Sequence, residues 1–222
     1  MADEKKKYES ITTPAGIAKY PWLTKPQLKY NTTDEYEYKC NLIADSKADG
    51  MNDLLKHLEE IAQEQFAQLK KDIKEAATKE KNPDKKKKIL ADIDKAEKYL
   101  PFELEFNDEE KETGNIIFKA KQATEFKNKK GNVVQIELNF FDAAGKKLSE
   151  APNIFSGSKL RLNCQLNPFC SVGLKTAGVS LRLKAVQILE LAKGRTAKDY
   201  GFNEEEGYVG EEETFDDGNH NY

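Results

Sequence analysis

Basic residues alternate with apolar ones on three stretches of the chain, and that spacing is its strongest chemical signal. In Lys159-Leu-Arg-Leu-Asn-Cys-Gln-Leu166 the even positions are small or apolar, while Lys159, Arg161, Asn163 and Gln165 share the other face of a strand. Val179-Ser-Leu-Arg-Leu-Lys184 repeats the pattern with Ser180, Arg182 and Lys184, and Phe118-Lys-Ala-Lys121 repeats it with Lys119 and Lys121. One Lys on a strand often does no more than protect a sheet edge. Three cationic rows suit a groove that tracks phosphates. Aromatic residues accompany them: Trp22, the sole tryptophan, lies with Tyr20 and Tyr30 among Lys19, Lys25 and Lys29, followed by Tyr36 and Tyr38. Phe169 falls in Asn167-Pro-Phe-Cys170, which reads as a loop just beyond a strand. Cations for a backbone and flat faces for unstacked bases, the latter contributing ~1–3 kcal/mol per base, are what binding a single strand without sequence readout requires. The candidate contact residues are Trp22, Lys25, Tyr30, Tyr38, Lys119, Lys121, Lys159, Arg161, Phe169, Arg182 and Lys184.

Catalytic signatures are missing by comparison. No phosphate-binding glycine loop, dinucleotide fingerprint or nucleophile elbow occurs. Cys40, Cys164 and Cys170 lack CxxC spacing and stand far from His57 and His220, so they read as free thiols, the first two as small buried hydrophobes. The expectation is a binding protein and not an enzyme, with no metal and no cofactor.

The net charge of −3 conceals a polarity. Nine of the 39 acidic residues and none of the 36 basic ones lie in 199–222, so the first 198 residues carry 36 positive against 30 negative charges, a net of +6. A basic body with an acidic tail suits a nucleic-acid binder that regulates its own groove. The tail has many glycines and few aliphatics, cannot bury enough apolar surface to fold alone, and is expected to be disordered. A mean hydropathy of −0.79 and the lack of a long apolar run argue against a membrane span, and the N-terminus has no apolar stretch to direct export. The expected location is the cytoplasm.

The elements that must position the candidates follow from periodicity. Residues 1–35, broken by Pro14, Gly16, Pro21 and Pro26, read as an irregular aromatic and basic arm. Strand alternation marks 36–43, 115–126, 133–141, 159–166 and 179–191. Between the first two, an apolar stripe through Leu54, Leu55, Leu58, Ile61, Ala62, Phe66, Leu69 and Ile73 predicts a helix from Met51. A second helix is predicted from an Asn82 cap and Pro83 through Ile89, Leu90, Ile93 and Ala96 to Pro101, making a helical insertion over 51–100. The fold class is mainly β: a five-stranded OB-type barrel over 1–198 with a helical hairpin after its first strand, followed by the tail at 199–222.

In this order the residues resemble the replicative single-stranded DNA-binding proteins of tailed bacteriophages, the short-tailed kind in particular. The resemblance rests on DAAGKKLSEAPNIFSGSKLRLNCQLNPF and GVSLRLKAVQILELA, supported by Trp22-Leu-Thr-Lys-Pro26, Glu37-Tyr-Lys-Cys-Asn-Leu42, Phe118-Lys-Ala-Lys121 and an acidic tail closed by an aromatic residue. It implies an OB fold and sequence-independent single-strand binding in replication, recombination and repair inside the host cell. It further implies tail contacts with a phage DNA polymerase and a primase-helicase, and a homodimer. Carried across, Phe169 falls at a stacking position and Lys119 and Lys121 on a basic strand; Ser171 stands where a second aromatic can occur, and this chain ends Gly-Asn-His-Asn-Tyr222. Two other readings fit the same residues: an RNA-binding or RNA-chaperone OB protein, and a protein-interaction scaffold whose tail mimics DNA.

Overall fold

The computed structural model describes residues 9–128, 130–193, 201–203 and 205–208. In chain order the elements are β1 (Ser10–Thr12), β2 (Gly16–Leu28), β3 (Tyr36–Asp45), α1 (Met51–Lys79), α2 (Pro83–Ala91), β4 (Glu97–Tyr99), β5 (Phe102–Phe106), β6 (Glu112–Ala123), β7 (Glu125–Lys127), β8 (Val133–Gln135), β9 (Asn139–Phe141), β10 (Lys159–Ser171) and β11 (Thr176–Glu190). Five strands close a barrel. β2 pairs with β3, β3 with β6, β6 in parallel with β11, β11 with β10, and β10 back to β2. Counted along the chain the circuit runs first, second, third, fifth, fourth, which is the OB arrangement.

Alternation dictates which side chains fill the barrel. Cys40, Leu42 and Ala44 of β3, Phe118 and Ala120 of β6, and Leu160, Leu162, Cys164 and Leu166 of β10 are all buried. On β11 the buried set passes from Val179, Leu181 and Leu183 to Val186 and Ile188 because a bulge there adds one residue, Lys184, against β10. The buried thiols behave as hydrophobes, and burial pushes the Cys40 thiol up to about 12.

The helices sit where their stripe predicts. The first half of α1 covers the barrel with Met51, Leu58 and Ala62; the second half places Leu69 and Ile73 on Ala177 and Cys170, where β10 and β11 run beyond the barrel as a ribbon. The Asn82 side chain caps α2, accepting from the Asp84 and Lys85 amides at 3.0 and 3.1 Å.

Three expectations need correcting. Residues 16–28 of the supposed arm are a barrel strand; Pro21 and Pro26 fall where the β2–β3 register shifts, so neither has to donate to the ladder. The helical insertion therefore follows the second barrel strand. The 133–141 stretch is no barrel strand but two short ones, Val133–Gln135 folding back on β7 and Asn139–Phe141 joining β11, with Leu138 turned into the core between them. Finally, α2 stops at Ala91, not Pro101. Asp92 pairs with Lys175 at 2.7 Å and the Glu97 amide donates to the Lys175 carbonyl, so the chain leaves the helix to supply β4 to the edge of β11. Residues 199–222, expected as a disordered tail, lie largely outside the described residues.

The β4 backbone passes so close to Gly178 that a Cβ there would overlap the Tyr99 carbonyl. Gly178→Ala is accordingly expected to lower the unfolding free energy by ~1–3 kcal/mol, the usual cost of overpacking. Urea denaturation tests this, and an unchanged midpoint would contradict the close approach.

Candidate nucleic-acid interface

Closing the barrel brings outward side chains of five strands into one column. Trp22 of β2 lies opposite Lys39 of β3, Lys39 opposite Lys121 of β6, Lys121 beside Arg182 of β11, and Arg182 opposite Gln165 of β10. Their neighbours Leu23, Cys40, Ala120, Leu181 and Leu166 are buried, which fixes the column on the outer surface. Four strand spacings of ~4.8 Å make it about 19 Å long. Like charges placed opposite one another across strands repel. None of Lys39, Lys121 and Arg182 forms an ion pair among the described residues, so the column has no internal counter-charge. An anion laid across it relieves that repulsion.

The same outer face continues up the ribbon. Asn167 donates to Ser180 at 3.1 Å, and beyond them Phe169 stands opposite Gly178, whose other neighbour is Tyr99 of β4. With no side chain on Gly178 to separate them, the Phe169 and Tyr99 rings meet at 5.8 Å with a 55° tilt. Burial holds the Tyr99 phenol above its ordinary pKa, so it stays a neutral hydroxyl at the end of an aromatic lip. Phe169 is therefore a strand residue, since β10 runs on to Ser171, and not part of a loop.

The other candidates scatter. Lys119 follows the column's parity but is ion-paired to Glu103 of β5, which offsets its charge. Lys184 is the extra residue of the β11 bulge, half-buried and close along the strand to Arg182. Tyr30 is 88% exposed in the 29–35 connection, and Lys25 is exposed on β2 between Trp22 and that connection. Tyr38 has the inward parity and packs against the core, so it offers no outer face. Lys159 sits at the far end of β10 in register with Glu190. Arg161 opens instead into a separate shallow groove with Thr12, Phe141, Asn163 and Gln187. The three expected basic rows thus reduce to one column, crossing the strands and not running along them.

Two members of the face were not among the expected residues. Lys39 shares parity with Asn41 in the predicted strand 36–43, so its outward direction was available from alternation alone. Tyr99 had no such signal, because 97–99 was read as helix.

Comparisons with known proteins bear on the family and the fold. The family described as the single-stranded DNA-binding protein of bacteriophage T7 matches residues 15–191. The single-stranded DNA-binding protein of Escherichia phage T7 is 35% identical over 99 residues, 43% of this chain and 43% of that protein. Its counterpart from Enterobacteria phage T3 is 38% identical over 80 residues, 36% of this chain and 34% of that protein. The aligned stretches thus span less than half of either relative. The crystal structure of gp2.5, a single-stranded DNA-binding protein encoded by bacteriophage T7, superposes with a TM-score of 0.63 at 26% identity, covering 92% of this chain and all of that one.

The uncompensated column has a measurable cost. Lys121→Gln removes its central charge and is expected to raise the unfolding free energy by ~0.2–1 kcal/mol at low salt. The gain should fade in 1 M salt, where the screening length is only about 3 Å. Denaturation curves at both salt concentrations test this; a destabilised variant at low salt would show that the three cations are compensated.

Proposed function

This chain belongs to the family of the single-stranded DNA-binding protein of bacteriophage T7, and on that footing we propose that its outer barrel face binds single-stranded DNA without reading sequence. The observation that carries the proposal is the unpaired column of Lys39, Lys121 and Arg182, flanked by Trp22 at one end and leading toward Phe169 and Tyr99 at the other. Phosphates lie along the column and bases turn onto the rings. Lys25, Tyr30 and Lys184 extend the contact at its margins. A single strand suits this face better than a duplex, because only unstacked bases can reach the aromatic side chains.

The protein protects single strands during phage DNA replication, recombination and repair in the host cytoplasm, as a binding protein without catalysis. Its acidic residues 199–222 compete with DNA phosphates for the cationic face at the high effective concentration of a tethered segment. DNA displaces the segment and frees it for a phage polymerase, a primase-helicase or a second copy of the chain.

Equilibrium titrations of single- and double-stranded oligonucleotides test the proposal. Four to six phosphate contacts predict that log K falls with log salt at a slope of roughly −3 to −4, at about −0.7 per contact. Lys39→Ala, Lys121→Ala and Arg182→Ala should each lower that slope by about one contact. Trp22→Ala and Phe169→Ala should each weaken binding by ~1–3 kcal/mol with the slope unchanged, and DNA should quench Trp22 emission. A flat salt response, or equal affinity for duplex and single strand, would count against this function.

A further inference from the structure

The β7–β8 hairpin projects from the barrel and belongs to neither buried cluster. All six of its strand residues are exposed, Phe126 by 51% and its cross-strand partner Val134 by 36%. A two-stranded hairpin without a packed face is marginal in water. This one is nevertheless built with care. The Asn128 side chain accepts from the Lys130 and Asn132 amides at 2.9 and 3.0 Å, Gly131 takes the left-handed φ of 83° that the turn needs, and Gln135 donates to Glu125 at 2.9 Å. The result is a shaped, water-facing arm that holds out a phenyl ring.

Its root lies beside the cationic column. The hairpin begins three residues after Lys121, where the Thr124 amide and hydroxyl donate to the Tyr36 carbonyl, and the returning chain reaches β11 at Ala185. The two roots therefore flank the interval of β11 between Arg182, beside Lys121, and Ala185, beside Asn139; Lys184 lies in that interval. Lys127 and Lys130 are exposed on the arm, and Tyr36 is exposed at its base. Exposed cations beside an exposed aromatic ring, next to a column without counter-charge, fit a polyanion with flat apolar faces better than an apolar protein surface.

We infer that the β7–β8 hairpin is a finger that closes on a single strand lying along the barrel, with Phe126 stacking on a base and Lys127 and Lys130 meeting phosphates. This rests on the single-strand-binding reading of the barrel face and adds a second contact element outside it. The finger is reached only by strands long enough to run past Lys121 and Arg182.

The experiment uses the full chain with labelled oligothymidylates of about 4 and about 16 nucleotides, which bracket the site sizes of one OB fold. Phe126→Ala should weaken the longer oligomer about tenfold and the shorter one less than about twofold, within the range expected for one stacked base. Lys127→Gln with Lys130→Gln should flatten the salt dependence for the longer oligomer only. Phe126→Trp in a Trp22→Phe background gives a direct readout, since its emission should be quenched by the longer oligomer. Unchanged affinity of Phe126→Ala for the longer oligomer, equal losses for both lengths, or unquenched emission would overturn the finger. Failure of the unsubstituted protein to bind the longer oligomer would overturn the barrel-face reading instead, so the two failures are distinguishable.

Discussion

A strand buried in a sheet has to satisfy both of its edges, and the fifteen-residue β11 sets the terms on which the rest of this chain does so. One edge is taken by β10 along almost its whole length. The other is longer than any single partner in the fold can cover. Three parallel segments serve it in turn: β4 at 176–178, β6 at 181–182 and β9 at 185–187. The middle contact closes the barrel and sets Lys121 beside Arg182. The first pulls the chain out of helix and delivers Tyr99 to Phe169. The last returns the chain after the β7–β8 hairpin and so determines where that hairpin stands. The charged column, the aromatic lip and the β7–β8 hairpin are all placed by the needs of one edge.

The fold also brings together charges that the sequence leaves far apart. Glu103 and Lys119 meet across β5 and β6, and Lys175 meets Asp92 below the lip, whereas the central column is left without carboxylates. Solvent-accessible pairs contribute little to stability, with a median of ~0–1 kcal/mol. Their larger effect is on the electrostatic shape of the surface. They neutralise cations beside the column and leave those in it unmatched, so a net charge of −3 for the whole chain coexists with a locally cationic face.

Much of this was legible in the sequence where one residue's environment is decided by its immediate neighbours. Alternation in 159–166 and 179–184 identified the inward and outward sets of β10 and β11, the α1 stripe matches the residues that pack, and the Asn82-Pro83 start is a working cap. What could not be read was pairing. Prolines that signal a break in a lone segment are tolerated in β2 because bulges excuse them from the ladder. Residues 97–99 continue a helical pattern until the vacant edge of β11 outweighs it, and 133–141 alternates cleanly though its halves serve different partners. The site suffered in the same way. Rows along strands were visible, but a row across strands depends on register, which sequence alternation does not supply.

The long helix α1 joins two apolar clusters of unequal size. The larger fills the barrel, and the smaller, around Leu69, Ile73 and Ala177 with Ile93 and Ala96 beside them, anchors the ribbon and the chain leading into β4. Regions with few buried contacts open locally at lower free energy than the body that carries them. The outer cluster can therefore come apart while the barrel stays folded, and amides of β4 and the ribbon should exchange with solvent before those of β3 and β6. The aromatic lip is thus mounted on the smaller of two apolar clusters, at one end of the barrel.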